Sequence, residues 1–332
     1  MPLVALLALL VPSTGLMSAS AVNSLPEWFE REGYGKAGLK HESLGGGAGW
    51  ASTARLTTAA GERFFVKESS RPAAQMFAGE ALGLRALADA SARAVAAGLI
   101  DDGAALRVPK VYAAEDVKSG RGSFIVMEWL DLGGRTDQAA LGRAMGALHA
   151  APCPDEWRDK PFGFACDNTI GATPQPNARS RDWVEFFRER RLAHQLALAR
   201  SPKLSRLGER LLPRLDELFD DLDGGAAVAP SVLHGDLWSG NIGAVPDGAP
   251  CVFDPAVYVG HDEAEWGMSW CAGFSTEFWR GYREIVPKAP GFERRRPLYD
   301  LYHILNHANL FGGGYHDDAA ALMRKCLVNL DG

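Results

Sequence analysis

His234-Gly235-Asp236-Leu237-Trp238-Ser239-Gly240-Asn241, with Asp254-Pro255 beginning thirteen residues after Asn241, is the stretch on which the fold of this 332-residue chain turns. A carboxylate at Asp236 can accept the proton of an attacking hydroxyl. An amide at Asn241 and a second carboxylate at Asp254 offer hard oxygen ligands of the kind Mg2+ takes alongside phosphate oxygens. A lone His-Gly-Asp is ordinarily a turn capped by its Asp. The Asn five residues on, and the Asp beyond a short apolar hairpin, reverse that reading. Their order and spacing are what in-line phosphoryl transfer needs: one proton acceptor and two metal ligands brought to one point.

Upstream, residues 39–67 read as short strands broken first by Gly45, Gly46 and Gly47 and then by Ala60-Gly61. Residues without side chains expose N–H groups and accept positive φ, so the glycine run suits close approach to phosphates. It is not a Walker A loop, because no Gly-Lys-Ser/Thr follows. Lys67 ends a strand, and Glu80 lies on the next helical pattern, residues 75–90, where it can pair with that Lys and hold it on the α- and β-phosphates. Met127-Glu128-Trp129-Leu130 closes a further strand, 124–129, as a hinge whose main chain reads adenine. A strand-end Lys or a helical Glu alone is usually a solvated charge. Glycine turn, Lys, Glu, then catalytic loop, in that order, are the parts of a kinase using ATP and Mg2+.

The pattern changes near residue 131, from short strands (108–112 and 124–129 among them) to long helical periods at 138–149, 183–199 and 204–222. The expected architecture is therefore α+β: a bilobal protein-kinase-like fold with a small β-rich N-lobe, 24–130, and a larger, mainly helical C-lobe, 131–332. Residues 1–23 carry an apolar run without an early Lys or Arg and read as a targeting leader or an extension. No run is long enough to cross a bilayer. The net charge of -6 argues against a nucleic-acid partner, which needs concentrated Lys and Arg. Five scattered cysteines without a CxxC pair read as reduced thiols, which favours the cytoplasm or a plastid over secretion.

Protein kinases carry Lys two residues after the catalytic Asp; here Trp238 stands there, an aromatic plane suited to a sugar face. With His234 to Asn241, Phe253-Asp254-Pro255-Ala256, Gly260-His261-Asp262-Glu263, the run Ile285-Val286-Pro287-Lys288-Ala289-Pro290-Gly291-Phe292 and Leu305-Asn306-His307, the chain resembles the fructosamine-3-kinase/ketosamine-3-kinase family. Phe65-Val66-Lys67, Gln75-Met76-Phe77 and Gly79-Glu80 continue the likeness, which covers most of 40–328. The resemblance implies ATP-dependent phosphorylation of the 3-hydroxyl of a ketosamine, on a glycated amine or protein, leading to deglycation. It also implies that His307 contacts the sugar, and it is compatible with a monomer or a homodimer. One departure is Ala48, where many relatives have Cys or Ser, which removes redox control through a loop disulfide. Two rivals stay open: an aminoglycoside- or choline-type kinase with Glu263 and Glu265 as its acidic acceptor wall, and a kinase-like module without catalysis.

Overall fold

The computed structural model describes residues 22–45, 51–71, 73–118, 122–133 and 135–331. The chain forms two compact units. The first takes in the described part of Met1–Ala78 together with Tyr112–Val126; the second takes in Gly79–Val111 and Met127–Gly332.

In the first unit, helix α1 (Leu25–Arg31) precedes strands β1 (Lys40–Ser43), β2 (Ser52–Thr57) and β3 (Arg63–Ser69). Helix α2 (Ala74–Ala96) follows, then β4 (Val111–Asp116) and β5 (Ser123–Glu128), giving a five-stranded sheet in the order β1-β2-β3-β5-β4. β2 and β3 pair antiparallel around the Ala60-Gly61 turn, with Thr57 opposite Arg63 and Thr53 opposite Lys67. Alternation puts Leu56, Phe64 and Val66 on one face, and α1 covers it with Trp28 and Phe29. The Phe29 and Phe64 rings meet edge to face at 5.1 Å. Complete burial of a side chain such as Phe29 contributes about 2–3 kcal/mol. Val22, assigned above to the leader, is buried in this same cluster, and its carbonyl accepts the Lys118 N–H at 2.8 Å. Strand β4 begins at Val111 rather than 108, since Pro109 has no N–H to give a ladder.

The second unit is mostly helical: α3 (Gln138–Ala150), the small hairpin β6 (Asn168–Ile170) and β7 (Thr173–Gln175), α4 (Trp183–Phe187), α5 (His194–Ala199) and α6 (Pro202–Leu211). Short strands β8 (Ser231–Leu233), β9 (Ile242–Ala244), β10 (Pro250–Val252) and β11 (Tyr258–Gly260) come next. Helices α7 (Ser269–Ala272), α8 (Thr276–Arg283), α9 (Phe292–Phe311) and α10 (Tyr315–Asp331) complete it.

Two helical periods expected from sequence are interrupted for identifiable reasons. Between α4 and α5 the chain makes a π-helical turn, Arg188–Ala193, that carries the fully buried Arg191 inward to the Pro176 carbonyl and Asn177 Oδ1, both at 2.7 Å. After α6, Pro213 cannot donate within a helix and the chain continues as 3-10 turns, Leu212–Gly225. The helix bearing Glu80 also differs from expectation. The sequence reading gave all of it to the N-lobe, whereas from Gly79 onward it belongs to the second unit, held by close packing of Gly79 on Asn168 and of Gly83 on Val257.

Candidate active site

The catalytic-loop segment is built on two adjacent two-stranded ladders. β8 pairs antiparallel with β11, Leu233 opposite Tyr258, and delivers His234 at its end. β9 pairs antiparallel with β10, so the chain that leaves Asn241 returns to Phe253, whose N–H donates to the Asn241 carbonyl at 3.2 Å. The thirteen-residue spacing is thus the length of one tight hairpin, and it sets Asp254 beside Asn241.

Asn241 is buried, and its side-chain N–H groups donate to the Asp236 carbonyl at 2.8 Å, to Asp236 Oδ2 at 3.4 Å and to the Asp254 carbonyl at 3.2 Å. The two backbone carbonyls can only accept, which fixes the amide orientation and leaves Oδ1 as the group able to act as a ligand. Asp254 is exposed and sits at φ +56, a left-handed conformation that Asp tolerates better than most residues but still with strain. Asp236 is half-buried; burial, and next the neighbouring Asp254 charge, push its carboxyl up to about 7 against the Asn241 hydrogen bond. A carboxyl titrating there accepts a proton near neutral pH far better than an ordinary Asp.

His234 is fully buried and does structural work. Its Nε2 is 3.0 Å from the Phe253 carbonyl and must donate, so Nδ1 is the acceptor for the Asp236 N–H at 3.3 Å. Burial holds this imidazole below its usual pKa, in keeping with the neutral tautomer. Gly235 follows at φ +80, where a Cβ would lie 2.2 Å from the Ala256 carbonyl oxygen, so only glycine fits.

The residue that the sequence reading missed is Glu265 in its structural role. Its carboxylate is buried and accepts the N–H of His234 at 2.6 Å and that of Gly235 at 2.9 Å, with His149 Nε2 3.3 Å away. Glu263 is likewise engaged, bidentate with the buried Arg295 at 2.8 and 2.7 Å. Both acids are buried and paired within the fold, so neither forms the acidic acceptor wall of the aminoglycoside- or choline-type rival. No short-range sequence signal distinguishes a buried clamp from an exposed acid in Asp262-Glu263-Ala264-Glu265.

The other expected site residues fall as follows. The Trp238 indole is 41% exposed and lies over Gly240, where a Cβ would come within 2.3 Å of the ring. α7 packs against the Ser239–Asn241 turn, and its Trp270 ring meets His307 at 5.5 Å. His307 donates from Nδ1 to the His303 carbonyl at 2.8 Å, which leaves Nε2 as an acceptor, and its ring also touches Phe311 and Tyr315. Lys67 is buried on β3, and Glu80 lies in the first turns of α2. Met127 and Glu128 end β5; the Glu128 N–H donates to the Lys110 carbonyl at 2.8 Å, and the Trp129 indole donates to Asp131 at 2.9 Å, with Leu130 between them. Gly45 takes φ +62, whereas Gly46, Gly47 and Ala48 lie outside the described residues. All five cysteines are free thiols.

The family model for fructosamine kinase matches residues 28–329. The chain belongs to the fructosamine kinase family. Over 313 residues it is 43% identical to the chloroplastic protein-ribulosamine 3-kinase of Oryza sativa subsp. indica, covering 93% of this chain and 84% of that one. Among solved structures, a protein of Haemophilus somnus 129PT assigned as a fructosamine-3-kinase superposes with a TM-score of 0.74 at 25% identity, over 92% of this chain and 97% of the other. The macrolide 2'-phosphotransferase of Brachybacterium faecium superposes with a TM-score of 0.52 at 16% identity, over 91% and 98%, and shows the fold alone. This family member is a kinase with the protein-kinase-like fold expected from its sequence. No helix among the described residues is long and apolar enough to cross a membrane.

Proposed function

We propose that the protein transfers the γ-phosphate of ATP to the 3-hydroxyl of a ketosamine, a ribulosamine or fructosamine on an amine or a protein, and so begins deglycation. The observation that carries this reading is the hydrogen-bonded cluster of Asp236, Asn241 and Asp254 in a chain of the fructosamine kinase family. Asp236 orients the sugar hydroxyl and takes its proton as the oxygen attacks phosphorus in line with the leaving ADP oxygen. Asn241 Oδ1 and the Asp254 carboxylate are the donors for Mg2+; an amide and a carboxylate, completed by nucleotide phosphates and water, are a fitting set for that ion. When bound, the ion would neutralise negative charge on the nucleotide phosphates. We assign Lys67 and Glu80 to the α- and β-phosphates, Gly45, Gly46 and Gly47 to the phosphate loop, and the main chain of Met127 to Leu130 to adenine. Trp238 and His307 receive the sugar, Trp238 through its exposed face and His307 through Nε2. The chloroplastic relative and the free thiols support action in a plastid or the cytosol.

The test is ATP consumption by the purified protein with a ribulosamine, a fructosamine, an aminoglycoside and choline, with the product mapped by phosphorus NMR. Phosphate on the 3-hydroxyl of ketosamines alone is the expected result. Turnover only with choline or an aminoglycoside overturns the substrate assignment. Asp236→Ala is expected to bind ADP normally and to lose turnover, and undiminished phosphorylation removes Asp236 from its role.

A further inference from the structure

Beneath the Asp254 segment lies a buried polar network that the chemistry above does not use. Asn168, on β6, donates from Nδ2 to the Val257 carbonyl at 2.8 Å. Its Oδ1 accepts from Gln175 Nε2 and from Asn177 Nδ2, both at 2.8 Å. Gln175 also donates to the Ala256 carbonyl at 3.0 Å, and Asn177 takes the Arg191 guanidinium at 2.7 Å. Asn168, Gln175, Asn177 and Arg191 are all at least nine-tenths buried. Two successive carbonyls just beyond Asp254-Pro255 are thus held by side chains from one hairpin.

The same Asn168 is the seat of the Glu80 helix. A Cβ on Gly79 would lie 2.8 Å from Asn168 Cβ and 3.3 Å from its Cα; one turn on, a Cβ on Gly83 would lie 3.0 Å from Val257 Cγ2 and 3.5 Å from Pro255 Cγ. Glu80 stands between these two contacts. Its backbone height over Pro255–Val257 is therefore set by the surface that Asn168 builds and pins. Burying this many amides is costly unless each is bonded; here the Asn168, Gln175 and Asn177 amides are bonded and only Arg191 Nε lacks a partner, so the amides specify one arrangement of the parts they join.

We propose that Asn168 is a positioning residue for phosphoryl transfer, fixing the Glu80 helix and the Asp254 segment in one register. The proposal rests on the kinase reading of the site but not on which sugar is the acceptor. Asn168→Asp keeps the shape and the oxygen that Gln175 and Asn177 bond, and replaces the donation to Val257 by a buried carboxylate oxygen set against that carbonyl. Gly79→Ala attacks the same joint from the helix side and removes none of the network's hydrogen-bonding groups.

Two readouts separate positioning from mere stability. With the best ketosamine acceptor, both variants are expected to lose kcat by about 10²-fold, the scale of an ångström-sized misplacement, with the acceptor KM changed less than about threefold. By calorimetry, the gain in ADP affinity on adding Mg2+ is expected to shrink in Asn168→Asp, while ADP affinity without metal stays at the wild-type value. That second readout uses no acceptor, so it stands even if the ketosamine assignment fails. Variants that melt at lower temperature yet keep wild-type kcat and the wild-type Mg2+ gain overturn the proposal, as does a defect confined to KM.

Discussion

Replacing Glu265 by Gln removes one charge from a site where geometry allows the loss to be worked out. The carboxylate accepts two backbone N–H groups, from His234 and Gly235, on two different oxygens. Gln has one oxygen, so one of those N–H groups then faces an NH2 at a buried site. A lost charge-assisted bond is worth about 1.5–3 kcal/mol and a buried unpaired N–H costs about 1–3 kcal/mol. Release from burying a carboxylate offsets part of this, which leaves about 3 kcal/mol. At about 2 °C per kcal/mol for a chain of this size, the melting temperature should fall by about 6 °C. Because the clamped residues immediately precede Asp236, kcat should fall with it, by about tenfold or more.

The assay is thermal and denaturant unfolding in parallel with kcat, repeated across acid pH. Burial raises the Glu265 carboxyl, but the hydrogen bonds from His149 and from the Gly235 N–H outweigh it and hold the group below its usual value. A carboxyl depressed in the folded state adds stability that is complete above its unfolded value, near about 4.3, and is lost as pH falls through the lower folded value. The gap between wild type and Glu265→Gln should therefore close as pH drops below about 4. A variant that melts within about 1 °C of wild type with normal kcat, or a gap that widens in acid, refutes the clamp.

Asp254→Gly should abolish turnover and yet raise the melting temperature by about 1–2 °C, because glycine relieves about 1 kcal/mol of left-handed strain at φ +56; melting below wild type contradicts the strain. Gly235→Ala should cost more than about 2 kcal/mol and eliminate activity, since its Cβ would meet a backbone carbonyl at 2.2 Å that cannot swing aside; a denaturation midpoint unchanged from wild type would count against the geometry. Glu263→Ala should destabilise by about 3–5 kcal/mol by leaving the Arg295 charge buried and unpaired, whereas Glu263→Leu combined with Arg295→Met should recover most of that in chemical denaturation.

The sequence by itself determined the family and placed the candidate catalytic groups, because those groups are local. Asp236, Asn241 and Asp254 are joined by a loop and one short hairpin, so their spacing along the chain already states their spacing in space. The strand-to-helix change that defines the fold is a matter of side-chain period and was legible for the same reason.

Tertiary structure alone decided what holds that chemistry still. Glu265 reads in sequence as one of several acids and becomes a clamp only because folding buries it against two N–H groups some thirty residues away. Asn168 reads as a loop amide and becomes the joint of α2 and the Asp254 segment through bonds that span 89 residues. The break at Arg188–Ala193 has no proline or glycine to announce it; it exists because a buried guanidinium had to reach Pro176 and Asn177. Burial is set by the whole chain at once, and it is burial that turns an ordinary charge or amide into a part with one position.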